Sequence, residues 1–296
     1  MKISFLGFGE AAFCIASGWR DEGYPVQVSA YDALLQNPDK SALLVERAKQ
    51  ADVVLVASPE QAILGAELII AAVPSSYTLA LCQSVLPFLR PGQLYADVSA
   101  STPDTKKKEW ALLEPVGILF VDAAMLGSLP QSRHKVPITA SGNGAQRFKE
   151  TVTPLGMKVA VAGDRAGDAS AIKLIRSVYM KGTAALMLEM STAAQRFGVL
   201  EPVVTSIGKS LDNIPFEQHL TRIMLGTAIH AHRRAAELGG SVQMCREANI
   251  PCWMSDAAIL WHNRTAEYDL SARYQVKKPA DWREIVGDMV RPAEKV

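Results

Sequence analysis

The sequence predicts an α/β fold, a doubly wound parallel sheet over residues 1–163, followed by an all-helical domain over 164–296. Three observations carry this. Short β-like runs alternate with helix-length segments through the first half, a rhythm that places helices on both faces of a parallel sheet. The alternation stops after GDRAGD, and from Ala169 to Phe197 there is no proline and one glycine. Beyond that point only helical patterns and turns follow, without repeats or low-complexity tracts.

In chain order, the strands are ISFLG, VQVSAYD, VVLVAS, LIIAAV, QLYADVS and GILFVDAAM, each separated by room for a helix. VPITASG and MKVAVAG add two later strands, with AQRFKETVTPL as the helix between them. The next element is a single long helix, whose stretch AIKLIRSVYMKGTAALMLEM is apolar nearly all round. Such a helix belongs inside a domain or an oligomer interface, not on a wet surface. TRIMLGTAIHAHRRAAELGG and DWREIVGDMV read as further helices, with turns at Asn249–Pro251 and Lys278–Pro279.

At 296 residues, with 49% hydrophobic and 21% charged side chains, the chain can bury two moderate cores as an ordinary soluble protein. Its 31 basic residues nearly cancel 30 acidic ones, which excludes the basic footprint that nucleic acid requires. Cys14, Cys82, Cys245 and Cys252 have no paired ligand spacing and read as reduced, buried thiols of a cytoplasmic protein without a metal. Glu10 interrupts the only stretch that imitates a secretory signal, and no apolar run reaches the roughly 18 residues of a membrane helix.

The first strand ends in LGFGEAA, a Gly-x-Gly-x-x-Ala turn. Alone such a turn is a weak signal, since glycines also mark plain turns. Its context is stronger: Gly7 closes a hydrophobic strand, Gly9 lets backbone approach a pyrophosphate, and Ala12 lets the next helix pack close to the sheet. The helix N-terminus then offers unpaired N–H groups to phosphates. Asp32 follows the second strand at the spacing of the acid that binds a ribose diol. Its carboxylate would repel a 2′-phosphate and no arginine follows it, so NAD is favoured, with NADP possible.

With these pieces placed, the chain resembles the β-hydroxyacid dehydrogenase family, which includes 3-hydroxyisobutyrate and 6-phosphogluconate dehydrogenases. The resemblance rests on the order and spacing of LGFGEAA, AAVPSS, DVSASTPDT, DAAMLGS and GDASAIKLIRS. It implies a Rossmann-type domain in which Gly7, Phe8, Gly9, Glu10, Ala11, Ala12 and Asp32 bind the cofactor. Val73, Pro74 and Ser75 would lie near the nicotinamide ribose, and Ser99 would face both nicotinamide and substrate. Gly127 and Ser128 would hold a substrate carboxylate, and Lys173 matches the catalytic lysine. Two positions depart from the family pattern: Leu126-Gly127-Ser128 stands where Ser-Gly-Gly is usual, and Ser177 stands for an asparagine. They point to a divergent branch with its own substrate and an atypical helical domain.

Read without the family, the long helix carries Lys173, Ser177 and Lys181 on one face with Arg176 beside them. A lysine here can simply reach solvent. The sharper reading is that burial and Arg176 lower the basicity of Lys173, so that it exchanges a proton with a substrate hydroxyl while Ser177 orients it and Arg176 pairs with an acidic group. The function implied is an NAD(P)-dependent oxidoreductase acting on a small β-hydroxy acid, as a homodimer or higher homo-oligomer. The alternatives are an imine reductase, which usually replaces this lysine, and a non-catalytic dinucleotide-binding protein. His230 and His232 point apart on a helix and read as surface or interface groups, and Arg133, His134 and Lys135 read as a solvated basic loop, with a specificity loop as the sharper alternative.

Overall fold

The computed structural model describes residues 1–290, which divide into two compact units, Met1–Val178 and the chain from Tyr179 onward. The first unit is built on one eight-stranded sheet: β1 (Lys2–Leu6), β2 (Gln27–Tyr31), β3 (Val53–Leu55), β4 (Leu68–Ala71), β5 (Leu94–Asp97), β6 (Leu119–Met125), β7 (Pro137–Ser141) and β8 (Lys158–Gly163). Their order across the sheet is β3-β2-β1-β4-β5-β6-β7-β8. The first six form a doubly wound parallel set that switches direction between β1 and β4, the place where such sheets open a crevice at their carboxyl ends.

Successive side chains in each strand face opposite sides, and the core divides accordingly. Phe5, Leu68, Ile70, Ala96 and Val121 pack on one face with Ile15 and Trp19 of α1 (Glu10–Asp21), Leu44 of α2 (Pro38–Ala51) and Phe148 of α7 (Ala145–Val152). Leu6, Ile69, Tyr95 and Phe120 pack on the other with Ile63 of α3 (Pro59–Ile63), Cys82 and Val85 of α4 (Thr78–Val85) and Leu113 of α5 (Pro103–Leu113). Both faces of the sheet are therefore covered, and the near-continuous apolar character of its strands follows.

One strand departs from the all-parallel expectation: β7 runs antiparallel to β6, with Asp122 opposite Ser141 and Met125 opposite Ile138. The connection, residues 126–136, contains the single-turn α6 (Leu129–Ser132) and a 3-10 turn at Arg133–Lys135, too short for a parallel crossover.

The long helix α8 (Asp168–Arg196) begins in the first unit and ends in the second. The second unit adds α9 (Leu200–Leu211), α10 (Phe216–Glu247), α11 (Trp253–Ala266), α12 (Leu270–Val276) and α13 (Trp282–Val290). Its cores are small: one joins Ala228, Leu270, Tyr274 and Ile285, the other Val242, Cys245, Ile250 and Cys252. Glu189 of α8 caps α11, accepting from the N–H groups of Met254 (2.7 Å) and Ser255 (2.9 Å). The Tyr274 hydroxyl donates to Asp288 at 2.8 Å. All four cysteines are buried and unpaired, and none of the described helices is long and apolar enough to cross a membrane.

Candidate functional site

The residues singled out in the first half gather at the carboxyl ends of the parallel strands. Gly7 follows β1 with a φ of +92°, and a Cβ there would meet the Ala72 carbonyl oxygen at 2.6 Å. Only glycine fits, because both the backbone angle and the neighbouring end of β4 forbid a side chain. Gly9, by contrast, has nothing within 4 Å of the point where a Cβ would stand, so the space above it is open. Gly9 caps α1 with no side-chain hydrogen bond, so no side-chain oxygen occupies the amino end of that helix. Ala12 is fully buried against the sheet, while Glu10 is exposed and Ala11 half-buried.

Asp32 stabilises this turn. One carboxylate oxygen accepts from the Phe8 N–H at 2.7 Å and the other from the Leu34 N–H at 2.8 Å. The open glycine, the uncapped helix end and the anchored acid at the β2 end together fit a dinucleotide, whose pyrophosphate needs backbone N–H donors and whose ribose diol needs an acceptor. Val73 is half-buried and Pro74 and Ser75 are exposed just after β4, on the other side of the switch point.

A second cluster lies deeper, around the end of β5 and the middle of β6. Lys106 on α5 is fully buried. Its Nζ lies 2.6 Å from an Asp97 oxygen and 3.7 Å from Asp122, and donates to the Asp97 carbonyl at 2.9 Å. Asp97 also accepts from the Ser99 N–H (2.8 Å), the Ser99 hydroxyl (3.0 Å) and the Thr78 hydroxyl (2.9 Å). Ser99 and Ser101 share a 2.6 Å hydroxyl contact. Asp122 in turn accepts from both the backbone N–H (2.8 Å) and hydroxyl (2.7 Å) of Ser170, fixing the start of α8.

Burial alone would raise the Asp97 carboxyl, but the Lys106 ammonium and the hydrogen bonds around it outweigh that and hold it below the usual carboxylate range. Glu109, also buried, goes the other way. Burial first, then the Asp97 charge and a hydrogen bond shared with it, push it up to about 9. At neutral pH the pair is one carboxylate and one carboxylic acid, as two close buried carboxyls must be.

Lys173 stands one helical turn beyond Ser170, hence on the same face of α8. Burial lowers its basicity, Lys106 lowers it further, and Asp122 and Asp97 act in the opposite sense without cancelling the shift. The expected contributor, Arg176, does not act: the companion cation comes from α5, and Arg176 is exposed on the helix. Ser177 is half-buried one turn on and Lys181 is exposed. Gly127 and Ser128 are exposed after β6, and Leu126 donates its N–H to the Pro137 carbonyl at 2.7 Å.

The sequence reading missed Lys106 and Glu109, which sit in the charge-rich run DTKKKEW. A signal was present: 106, 109 and 113 follow the three-four spacing of a helix face, and these are the buried positions of α5. His134 also departs from the solvated-loop reading. It is 1% exposed, its ring 5.6 Å from that of Tyr24 and set against Gly18, a buried position in the middle of α1 where no Cβ fits beside the imidazole. Its neighbours Arg133 and Lys135 do reach the surface and pair with Asp21 and Glu22. His230 and His232 are exposed; His230 lies at a kink in α10 (φ −121°, ψ 23°).

Residues 2–163 match the NAD binding domain of 6-phosphogluconate dehydrogenase, and residues 194–264 match a domain of unknown function, DUF1932. A solved conserved protein of unknown function, described as structurally similar to 3-hydroxyacid dehydrogenases, is 31% identical, with 92% of this chain and 99% of that one covered and a TM-score of 0.62. An uncharacterized 28.5 kDa protein of Methanothermus fervidus is 25% identical over 238 residues, 80% of this chain and 88% of that one. An imine reductase variant from Myxococcus stipitatus, solved with NAD+, shares the fold at 16% identity over 98% and 99% of the two chains, with a TM-score of 0.73.

Proposed function

The chain belongs to the family of the 6-phosphogluconate dehydrogenase NAD-binding domain, and from that premise we propose that it is an NAD(P)-dependent oxidoreductase acting on a small β-hydroxy acid, with Lys173 as the general acid/base. The observation that carries this reading is the half-buried Lys173, lowered in basicity and set one turn beyond the Asp122-anchored start of α8. A lysine so placed changes protonation state nearer working pH than an exposed one, as proton exchange with a hydroxyl demands.

In this reading residues 1–163 serve the cofactor and 164–296 serve substrate and association. Gly7, Phe8, Gly9, Glu10, Ala11 and Ala12 hold the pyrophosphate, Asp32 the adenosine ribose, and Val73, Pro74, Ser75 and Ser99 the nicotinamide end. The nicotinamide, when bound, supplies the hydride chemistry. Lys173 takes the hydroxyl proton of the substrate in oxidation and returns it in reduction, with Ser177 orienting it. Gly127 and Ser128 receive the carboxylate of the substrate, and the exposed Arg176 is free to pair with a further acidic group. NAD is preferred to NADP because Asp32 presents a carboxylate where a 2′-phosphate would sit, and Ala33 and Leu34 follow it in place of a cation.

Association is the second part of the proposal. Ile175, Val178 and Leu188 of α8 are 70%, 74% and 71% exposed, an apolar surface unlike that of a free helix. A second copy of the chain covers it, giving a homodimer.

The test is reduction of NAD and of NADP against a panel of β-hydroxy acids, with Lys173→Ala in parallel. Turnover by the wild type that is lost in the variant, with cofactor binding retained, supports the reading. Turnover of cyclic imines with NAD(P)H but of no hydroxy acid would replace it with the imine reductase reading.

A further inference from the structure

The proposed mechanism leaves Lys106 unused, although its placement is costly. It is fully buried, and no other lysine of the described residues is. An ammonium taken out of water persists only where opposite charge and acceptors surround it. Here the ammonium makes four contacts: it pairs with Asp97 at 2.6 Å, reaches Asp122 at 3.7 Å, and donates to the Asp97 carbonyl at 2.9 Å and to the Ser99 hydroxyl at 3.5 Å. It thereby ties the end of β5 to the middle of β6. Asp122 then carries the tie to α8 through Ser170.

The charges in this cluster are few. Asp97 and Asp122 are the carboxylates, Glu109 holds its proton at neutral pH, and Lys106 is the resident cation. Lys173 is the second cation, and the charged groups bearing on it are Lys106 from α5, Asp122 from β6 and Asp97 from β5. With Lys106 in place, one unit of net negative charge faces Lys173. Without it there would be two, and a buried pair of carboxylates needs a compensating cation, which Lys173 becomes by holding its proton far more tightly.

We propose that Lys106 is a positioning residue for the proton chemistry of this site: by occupying Asp97 and Asp122 from below, it leaves Lys173 as the exchangeable base. The catalytic consequence rests on the reading of Lys173 given above, whereas the electrostatic coupling does not. It is also distinct from the glycine turn, since Lys106 touches none of the groups assigned to the pyrophosphate.

The experiment measures Lys173 directly. Protein labelled with ¹³C at lysine Cε is titrated by NMR, with the Lys173 signal assigned by its loss in Lys173→Arg. In Lys106→Met the Lys173 midpoint rises by about one pH unit or more, and Lys106→Arg returns it toward the wild-type value. The double variant Asp97→Asn, Glu109→Gln removes negative charge without letting Glu109 replace it, and the midpoint falls. Opposite shifts support the coupling; an unmoved midpoint in Lys106→Met, or shifts of the same sign in both, overturns it. Should Lys106→Met not fold, the double variant decides alone, and an unmoved or raised midpoint overturns the proposal. Where a substrate is in hand, the acid limb of kcat/KM for oxidation moves with the midpoint, so that Lys106→Met loses about tenfold at a pH below it and recovers at higher pH. Full turnover in Lys173→Ala would refute the acid/base reading while leaving the NMR result to stand or fall by itself.

Discussion

The two units invert the usual distribution of side chains in opposite ways. The sheet-based unit hides ionisable groups: Lys106, Asp97, Glu109 and Asp122 are all fully buried beside the sheet. The helical unit shows apolar surface: Leu188, Trp253, Leu260 and Trp261 are 67–77% exposed, and its buried clusters are small. Polar residues are normally outside and large apolar patches normally covered, so each inversion needs a reason. In the first unit the reason, on the function proposed above, is proton chemistry in a place that a full core already stabilises. In the second, on the same proposal, it is association, since a unit with so little interior gains by burying its surface against a second copy.

This contrast can be broken experimentally, and the largest effect belongs to the buried charges. Lys173→Ala lowers kcat by about 10²- to 10⁴-fold in steady-state assays while the KM for the cofactor stays within about twofold, the loss usual for a general acid/base. If the first unit is the self-sufficient one, Phe5→Ala, in a fully buried position, costs about 3–5 kcal/mol in urea denaturation. Trp261→Ala, 67% exposed, changes the stability of the dissociated chain by no more than about 0.5 kcal/mol. Equal losses at the two positions would erase the distinction.

The pH dependence of stability sharpens the same point. The Glu109 carboxyl releases its proton near 4.5 when unfolded and near 9 when folded, so the folded state binds the extra proton across that window. Its contribution is complete below pH 4.5 and is lost as pH rises toward 9, at up to about 1.4 kcal/mol per pH unit. Glu109→Gln therefore flattens the decline measured by denaturation across this range. A slope equal to that of the wild type would mean that Glu109 does not hold the proton. The smallest perturbation is at the surface: Val178→Lys on α8 leaves the fold intact and halves the mass observed by light scattering, whereas a wild type that is already a monomer at micromolar concentration would remove the association proposal.

What the sequence revealed divides along physical lines. All eight strands were legible because each is an apolar run bounded by turn residues, and the Gly7–Asp32 turn was legible because backbone geometry restricts which residues can stand there. The reversal of β7 was not, since strand direction leaves no mark on composition; only the shortness of residues 126–136 records it. Lys173 was visible through a resemblance and through its polar stripe, but its electrostatic partner was assigned to Arg176, beside it in sequence, when the cation that acts lies 67 positions upstream. Lys106 and Glu109 were obscured by their neighbours: in DTKKKEW a buried lysine and a buried carboxylic acid have the same letters as a solvated helix face. His134 was obscured likewise, because the space that admits its ring is created by Gly18 on another element.

The run Lys106-Lys107-Lys108 has one more use. Three identical amines stand side by side, two exposed and one sealed. An amine-reactive reagent will modify Lys107 and Lys108 at once, but Lys106 only in the moments when α5 lifts from the sheet. The ratio of labels within one peptide, followed by mass spectrometry, is therefore a clock for native-state breathing at the strand ends, with its own internal standard built into the chain.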